Sequence, residues 1–116
     1  MSMKMQTSDL TGAALDWAVA KCEGIGEVDK FGGVWVPMPK EPHFNEAYTP
    51  STNWAQGGPI IEREKIELGR TQTEWRAQRY DVHCVAYGPT PLIAAMRCYV
   101  ASKLGDTVDV PDELNP

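Results

Sequence analysis

The chain has no run of lysine or arginine, only two histidines and three cysteines, and no apolar stretch approaching a membrane span. Each shortage removes a class of function. Net charge is −5, so the counterion-release term that drives nonspecific nucleic-acid binding is missing, and direct contact with DNA or RNA is not expected. A spanning helix needs about 20 consecutive apolar residues. None is present, nor is an apolar N-terminal leader, so a cytoplasmic protein with no membrane partner is expected. The cysteines, Cys22, Cys84 and Cys98, are odd in number and lack Cys-x-x-Cys spacing. They read as small core residues of a reduced protein, not as a disulfide or a metal set.

Catalytic signals are equally sparse. No HExxH, Gly-x-Ser-x-Gly or phosphate-loop lysine pattern occurs. His43 lies between Pro42 and Phe44 in a loop-like stretch, and His83 precedes Cys84 in a strand pattern that points their side chains to opposite faces. Glu62, Glu64 and Glu67 read as a solvated face, with Arg63 and Glu67 as an i,i+4 ion pair. No catalytic residue, metal ligand or cofactor is expected, and the chain is not expected to be an enzyme.

What is present suits one α+β domain. The 116 residues are 42% hydrophobic and 23% charged, enough to enclose a core without staples. A first strand is expected over Lys4 to Thr7. Thr11, with Ser8 as its competitor, then caps a helix whose stripe is Ala14, Leu15, Ala18, Val19 and Cys22, stopped by Gly24. Val34, Trp35 and Val36 favour a short strand ended by Pro37 and Pro39. From Lys40 to Gly58 periodicity is lost, and a long loop is expected. Gly58 and Pro59 suit the start of a short helix to Lys65, with a strand as the alternative over 59–66. Next come a strand at "KIELG", a turn over Gly69 to Thr73, its hairpin partner "EWRAQRY", and "VHCVAYG" as a further strand or a continuation of that partner. The clearest element is the last helix. Thr90 caps it, Pro91 opens it, Leu92, Ile93, Met96, Val100 and Leu104 form its face, and Gly105 ends it. Residues 1–105 form the expected domain, and 106–116, acidic and broken by proline, read as an exposed extension.

Three segments, "LTGAALDWAVAKCEG", "YTPSTNWAQGGPIIERE" and "TPLIAAMRCYVASKLGD", together resemble the NinX-like family of small phage and prophage proteins. The resemblance spans nearly the whole chain. "STNWAQGGPIIERE" followed by "TPLIAAMRC" is also similar, more weakly, to the phage α-β-α sandwich domain. These resemblances imply a phage protein acting in the cytoplasm of the bacterial host. They also imply a small antiparallel sheet packed with helices, sandwich-like, and favour a helix over "PIIERE". They bring no reaction and no catalytic residue.

The stretch Tyr48 to Ile61 gathers stiff, polar and backbone-exposing residues. In one reading it is a packed cover. Tyr48 and Trp54 bury apolar area, Ser51 and Thr52 cap a turn, and the glycines permit a bend. In the other, Tyr48 to Gly58, with Tyr48, Ser51 and Thr52 among the contacts, form part of a binding rim. Trp54 stacks on a planar group, Asn53 and Gln56 meet its edge, Gly57 and Gly58 let the backbone approach, Ile60 donates at a helix start, and Arg97 adds charge. The second reading suits a nucleotide-type ligand bound without turnover, such as a bacterial defence signal held by a homo-oligomer. Its rival is a protein-interaction module anchored by Trp17, Trp35 or Trp54.

Overall fold

A computed structural model describes residues 2–25, 27–28, 33–38 and 40–114. In chain order the elements are β1 (Ser2–Gln6), α1 (Gly12–Glu23), β2 (Glu27–Val28), β3 (Val34–Pro37), β4 (Asn45–Ala47), α2 (Trp54–Glu64), β5 (Glu67–Arg70), β6 (Trp75–Arg79), β7 (Cys84–Gly88), α3 (Pro91–Leu104) and β8 (Thr107–Pro111). The fold is α+β, as expected. Its strands form three small antiparallel sheets instead of one: β1 with β8, β2-β3-β4, and β5-β6-β7.

Helix α3 is the centre of the molecule. The Thr90 hydroxyl accepts from the Ile93 N–H at 3.1 Å, and Pro91 opens the first turn. Leu92, Ala94, Ala95, Met96, Cys98, Tyr99 and Val100 are all buried, which occupies nearly every side of the helix. A helix apolar all round must be covered all round. Accordingly α3 packs on β6, β7, α1, α2 and β8. Small residues set its closeness to the sheet. Ala77 and Ala86 face it, and a Cβ on Gly88 would lie 2.8 Å from the Ala94 nitrogen. Helix α1 adds Ala14, Leu15, Ala18 and Val19 to the same core. It ends on Gly24 at φ 69°, the left-handed conformation glycine adopts without strain.

Helix α2 differs most from expectation. It begins at Trp54, not Pro59. The Asn53 side chain accepts from the Ala55 N–H at 2.9 Å, which makes Asn53 the N-cap. Pro59 lies inside the helix and forfeits the bond to the Ala55 carbonyl on the exposed side. The expected loop over 40–58 is thus partly replaced by regular structure. Strand β4 pairs Asn45, Glu46 and Ala47 with Pro37, Val36 and Trp35, and the first turn of α2 takes the end of the segment.

The acidic tail is also part of the fold. Strand β8 pairs with β1 from Ser2↔Pro111 to Gln6↔Thr107, and Val108, Val110 and Leu114 are buried. Two further expectations are replaced. His83 precedes β7 at φ 51° instead of lying in a strand. Arg63 pairs with Glu23 and Glu64, each at 2.7 Å, and not with Glu67, which is in β5. Glu64 also meets Arg79 at 3.0 Å, so one ionic cluster ties α1, α2 and β6 together. The three cysteines are free thiols, Cys98 fully buried.

Candidate functional site

The residues of the 48–60 stretch separate by what they touch. Tyr48 is 6% exposed, and its N–H donates to the Val34 carbonyl at 2.7 Å. The Ser51 N–H donates to the Asp16 carboxylate at 2.9 Å. Burial raises the Asp16 carboxyl above the usual range, and that N–H partly offsets it. The Ser51 hydroxyl is buried beside the same carboxylate without hydrogen-bonding geometry. Gln56 engages both ends of its amide, accepting from the Thr49 N–H at 2.6 Å and donating to the Ala47 carbonyl at 2.9 Å. Asn53 caps its own helix. Gly57 exists for contact, because a Cβ there would lie 2.5 Å from the Pro50 oxygen and 2.6 Å from Leu92 Cδ2. Ile60 is in the core and Gly58 is half-buried beneath the Trp54 ring. The amides expected to meet a ligand therefore bond to their own chain.

Trp54 is the exception. Its side chain is 54% exposed. With Thr52, Ser51, Thr90, Pro91 and Leu92 it lines a shallow recess of about 200 Å³, where the starts of α2 and α3 meet. Trp17, by contrast, is half-buried under the Lys21 ammonium, 5.2 Å from its ring centroid.

Arg97 lies elsewhere. It lines a larger cleft, about 310 Å³, that shares no residue with the Trp54 recess. The cleft is lined by the end of β1 and the turn after it (Gln6, Thr7, Ser8), by the edge strand β7 (Val85, Ala86, Tyr87), by Arg97 and Ala101 of α3, and by Glu74 and Asp106. The fold holds these parts firmly. The Thr7 N–H donates to the Asp106 carbonyl at 2.8 Å and its hydroxyl to the Gly105 carbonyl at 2.6 Å. The Arg97 Nε donates to the Leu10 carbonyl and Nη1 to the Tyr87 carbonyl, both at 2.8 Å. Among the described residues Arg97 makes no ion pair, and its Nη2 has no acceptor. Burial pushes the Arg97 guanidinium below its ordinary value, while Asp9 and Glu74 act in the other direction. An arginine remains charged under such shifts, so the cleft holds a fixed cation whose field is not cancelled at contact distance. Beside it the Tyr87 side chain is 45% exposed.

Sequence reasoning named Arg97 but attached it to the wrong surroundings. Its partners are 87 and 10 positions away in the chain, and only the packing of α3 brings them together. Tyr87, Ser8 and Glu74 were missed. The one available signal was the alternation of β7, which puts Val85 and Tyr87 on its outward face.

Among the described residues no group of three or more His, Cys, Asp or Glu is placed to hold a metal ion, and no helix is long and apolar enough to cross a membrane. The sequence profile described as Bacteriophage P22, NinX matches residues 6–103. The chain belongs to that family. No curated protein matches it.

Proposed function

We propose that this phage protein of the NinX family is a non-enzymatic binding domain for a small nucleotide-type ligand, seated in the Arg97 cleft. One observation carries the reading. A half-buried guanidinium, locked by two backbone carbonyls and paired with no carboxylate among the described residues, lines a cleft together with the exposed residue Tyr87. Guanidinium is suited to phosphate, and a tyrosine face is suited to stacking on a base. The cleft volume of about 310 Å³ falls at the small end of ligand sites. It accommodates one nucleotide unit; a dinucleotide would need a second copy of the chain. Sequestering a nucleotide signal of bacterial defence is the role such a domain would serve in a phage, in the host cytoplasm.

Calorimetric titration with nucleoside monophosphates, cyclic nucleotides and ADP-ribose tests this. Saturable binding is expected from one of these probes, weakened tenfold or more by Arg97→Met, in keeping with about 1.5–3 kcal/mol for a charge-assisted contact. Tyr87→Ala, at an exposed position, should weaken it without loss of fold. The ligand should be recovered unchanged after denaturation. Binding to none of the probes, or binding insensitive to both variants, refutes the site; recovery of a cleaved ligand refutes the non-enzymatic part.

A second reading rests on Trp54, an indole exposed on the rigid start of α2. It is a protein-interaction module, the aromatic serving as anchor. A host or phage protein captured by the wild type and lost with Trp54→Ala, with no nucleotide bound, would favour it.

A further inference from the structure

The contact between α3 and β7 brings two thiols together. The Cys84 thiol points at the Cys98 carbonyl and the Cys98 thiol at the Cys84 carbonyl, each at 3.7 Å. This reciprocity places both sulfurs between the same two backbone segments, and the two thiols also interact side chain to side chain. They are 14 positions apart in the chain, so nothing local requires the meeting. Cys98 is fully buried and Cys84 is half-buried, which gives the pair one protected and one accessible member. Arg79 stands directly opposite Cys84 in the β6–β7 register. Its charge and its backbone N–H both favour the Cys98 thiolate, and its buried Nε–H has no acceptor among the described residues. Burial and the Cys84 thiol outweigh that help and leave the Cys98 thiol pushed up to about 12. Cys98 is therefore a buried, protonated thiol at rest, placed beside the Cys84 thiol.

We propose that Cys84 and Cys98 are a reversible dithiol–disulfide pair, a modification site that takes small disulfides such as oxidised glutathione. The Cys84 thiolate attacks one sulfur of the small disulfide, whose S–S bond breaks and releases one thiolate. That thiolate takes the Cys98 proton. The Cys98 sulfur then displaces the second small thiolate from Cys84, and that thiolate takes up the proton that Cys84 gave to water when it ionised. One small disulfide is reduced to two thiols, and two protein S–H groups become one S–S bond. The bond joins α3 to β7 directly behind the cleft, since Val85 and Arg97 are the chain neighbours of the two cysteines. The proposal stands whether or not that cleft binds a nucleotide.

The test is to hold the wild-type chain in glutathione buffers of rising oxidised fraction, quench the thiols, and analyse intact mass and peptides. The expected product has lost two hydrogens, carries a Cys84–Cys98 cross-link and no retained glutathione, reverts with dithiothreitol, and unfolds at higher denaturant than the reduced form. In Cys84→Ser the Cys98 thiol should stay unmodified under the same conditions. A lasting glutathione adduct on Cys84 beside a free Cys98, two free thiols in fully oxidised buffer, or a Cys98 that reacts as fast in Cys84→Ser as in wild type would each overturn it.

Discussion

Replacing Glu23 by glutamine should destabilise the protein in a pH-dependent way. Glu23 lies near the end of α1 with its side chain 16% exposed, and Arg63 grips it with two bonds, Nη1 to Oε1 at 2.9 Å and Nη2 to Oε2 at 2.7 Å. The Tyr99 hydroxyl, on α3, donates to the same carboxylate. Three helices thus meet on one charge. Bonds to a charged group contribute about 1.5–3 kcal/mol each when shielded, but the Arg63 side chain is 49% exposed, and solvent screening reduces its share. Glutamine keeps the shape and one acceptor for Tyr99. The net loss at pH 7 is therefore about 1–2 kcal/mol, or about 4–8 °C in Tm at roughly 4 °C per kcal/mol for a chain of this size. The pH dependence follows from the direction of the shift. The Arg63 bonds hold the Glu23 carboxyl below its unfolded value of 4.5, against the effect of burial. The folded state then binds fewer protons than the unfolded one in that window. Its advantage is complete above 4.5 and disappears as pH falls through the lower, folded value. Denaturant curves for wild type and Glu23→Gln from pH 7 to pH 3 should converge at the acid end. A constant gap across that range, or no gap at pH 7, would refute the argument.

Asp16 gives the opposite sign. Burial raises its folded value above 3.8, so its ionisation costs stability as pH rises through that window, and Asp16→Asn should be neutral or stabilising at pH 7 in the same denaturant assay. Pro59→Ala restores a missing helix bond if α2 starts at Trp54, and should raise stability by about 1–3 kcal/mol; a neutral result would place the helix start at Pro59 after all. Val110→Ala removes two methyl groups from a site with 0% exposure. It should cost about 2 kcal/mol by chemical denaturation, whereas a tail that extends from the domain would tolerate it.

The fold was legible where one signal had no competitor. Thr90 with Pro91, and Gly24 after a regular apolar stripe, fixed α3 and α1 closely. It was misread where two signals conflicted. Gly58-Pro59 is a good helix opening by the proline rule, and it outweighed Asn53, whose cap is worth about 1 kcal/mol but carries no steric prohibition. Strand β8 was readable in Val108 and Val110 flanking an exposed Asp109, a period of two; the acids and Pro111 drew the reading toward an extension. The cleft was not legible at all. Its cation, its ring and its hydroxyls come from α3, β7 and the turn after β1, and no local pattern reports that they converge.

The pairing of Ser2 with Pro111 has a practical consequence for handling the chain. Strands β1 and β8 hold Ser2 and Pro111 side by side, so a fluorophore at either position reports on the same corner. The same proximity suits circular permutation: a Gly-Ser bridge would join Ser2 to the segment that follows β8. New ends would open in the turn at Thr71–Glu74, giving up the backbone bond between Thr71 and Glu74 and the bonds of the Thr71 hydroxyl to residues 73 and 74. If the permutant keeps its thermal midpoint, the order in which the strands are synthesised matters little to the final structure.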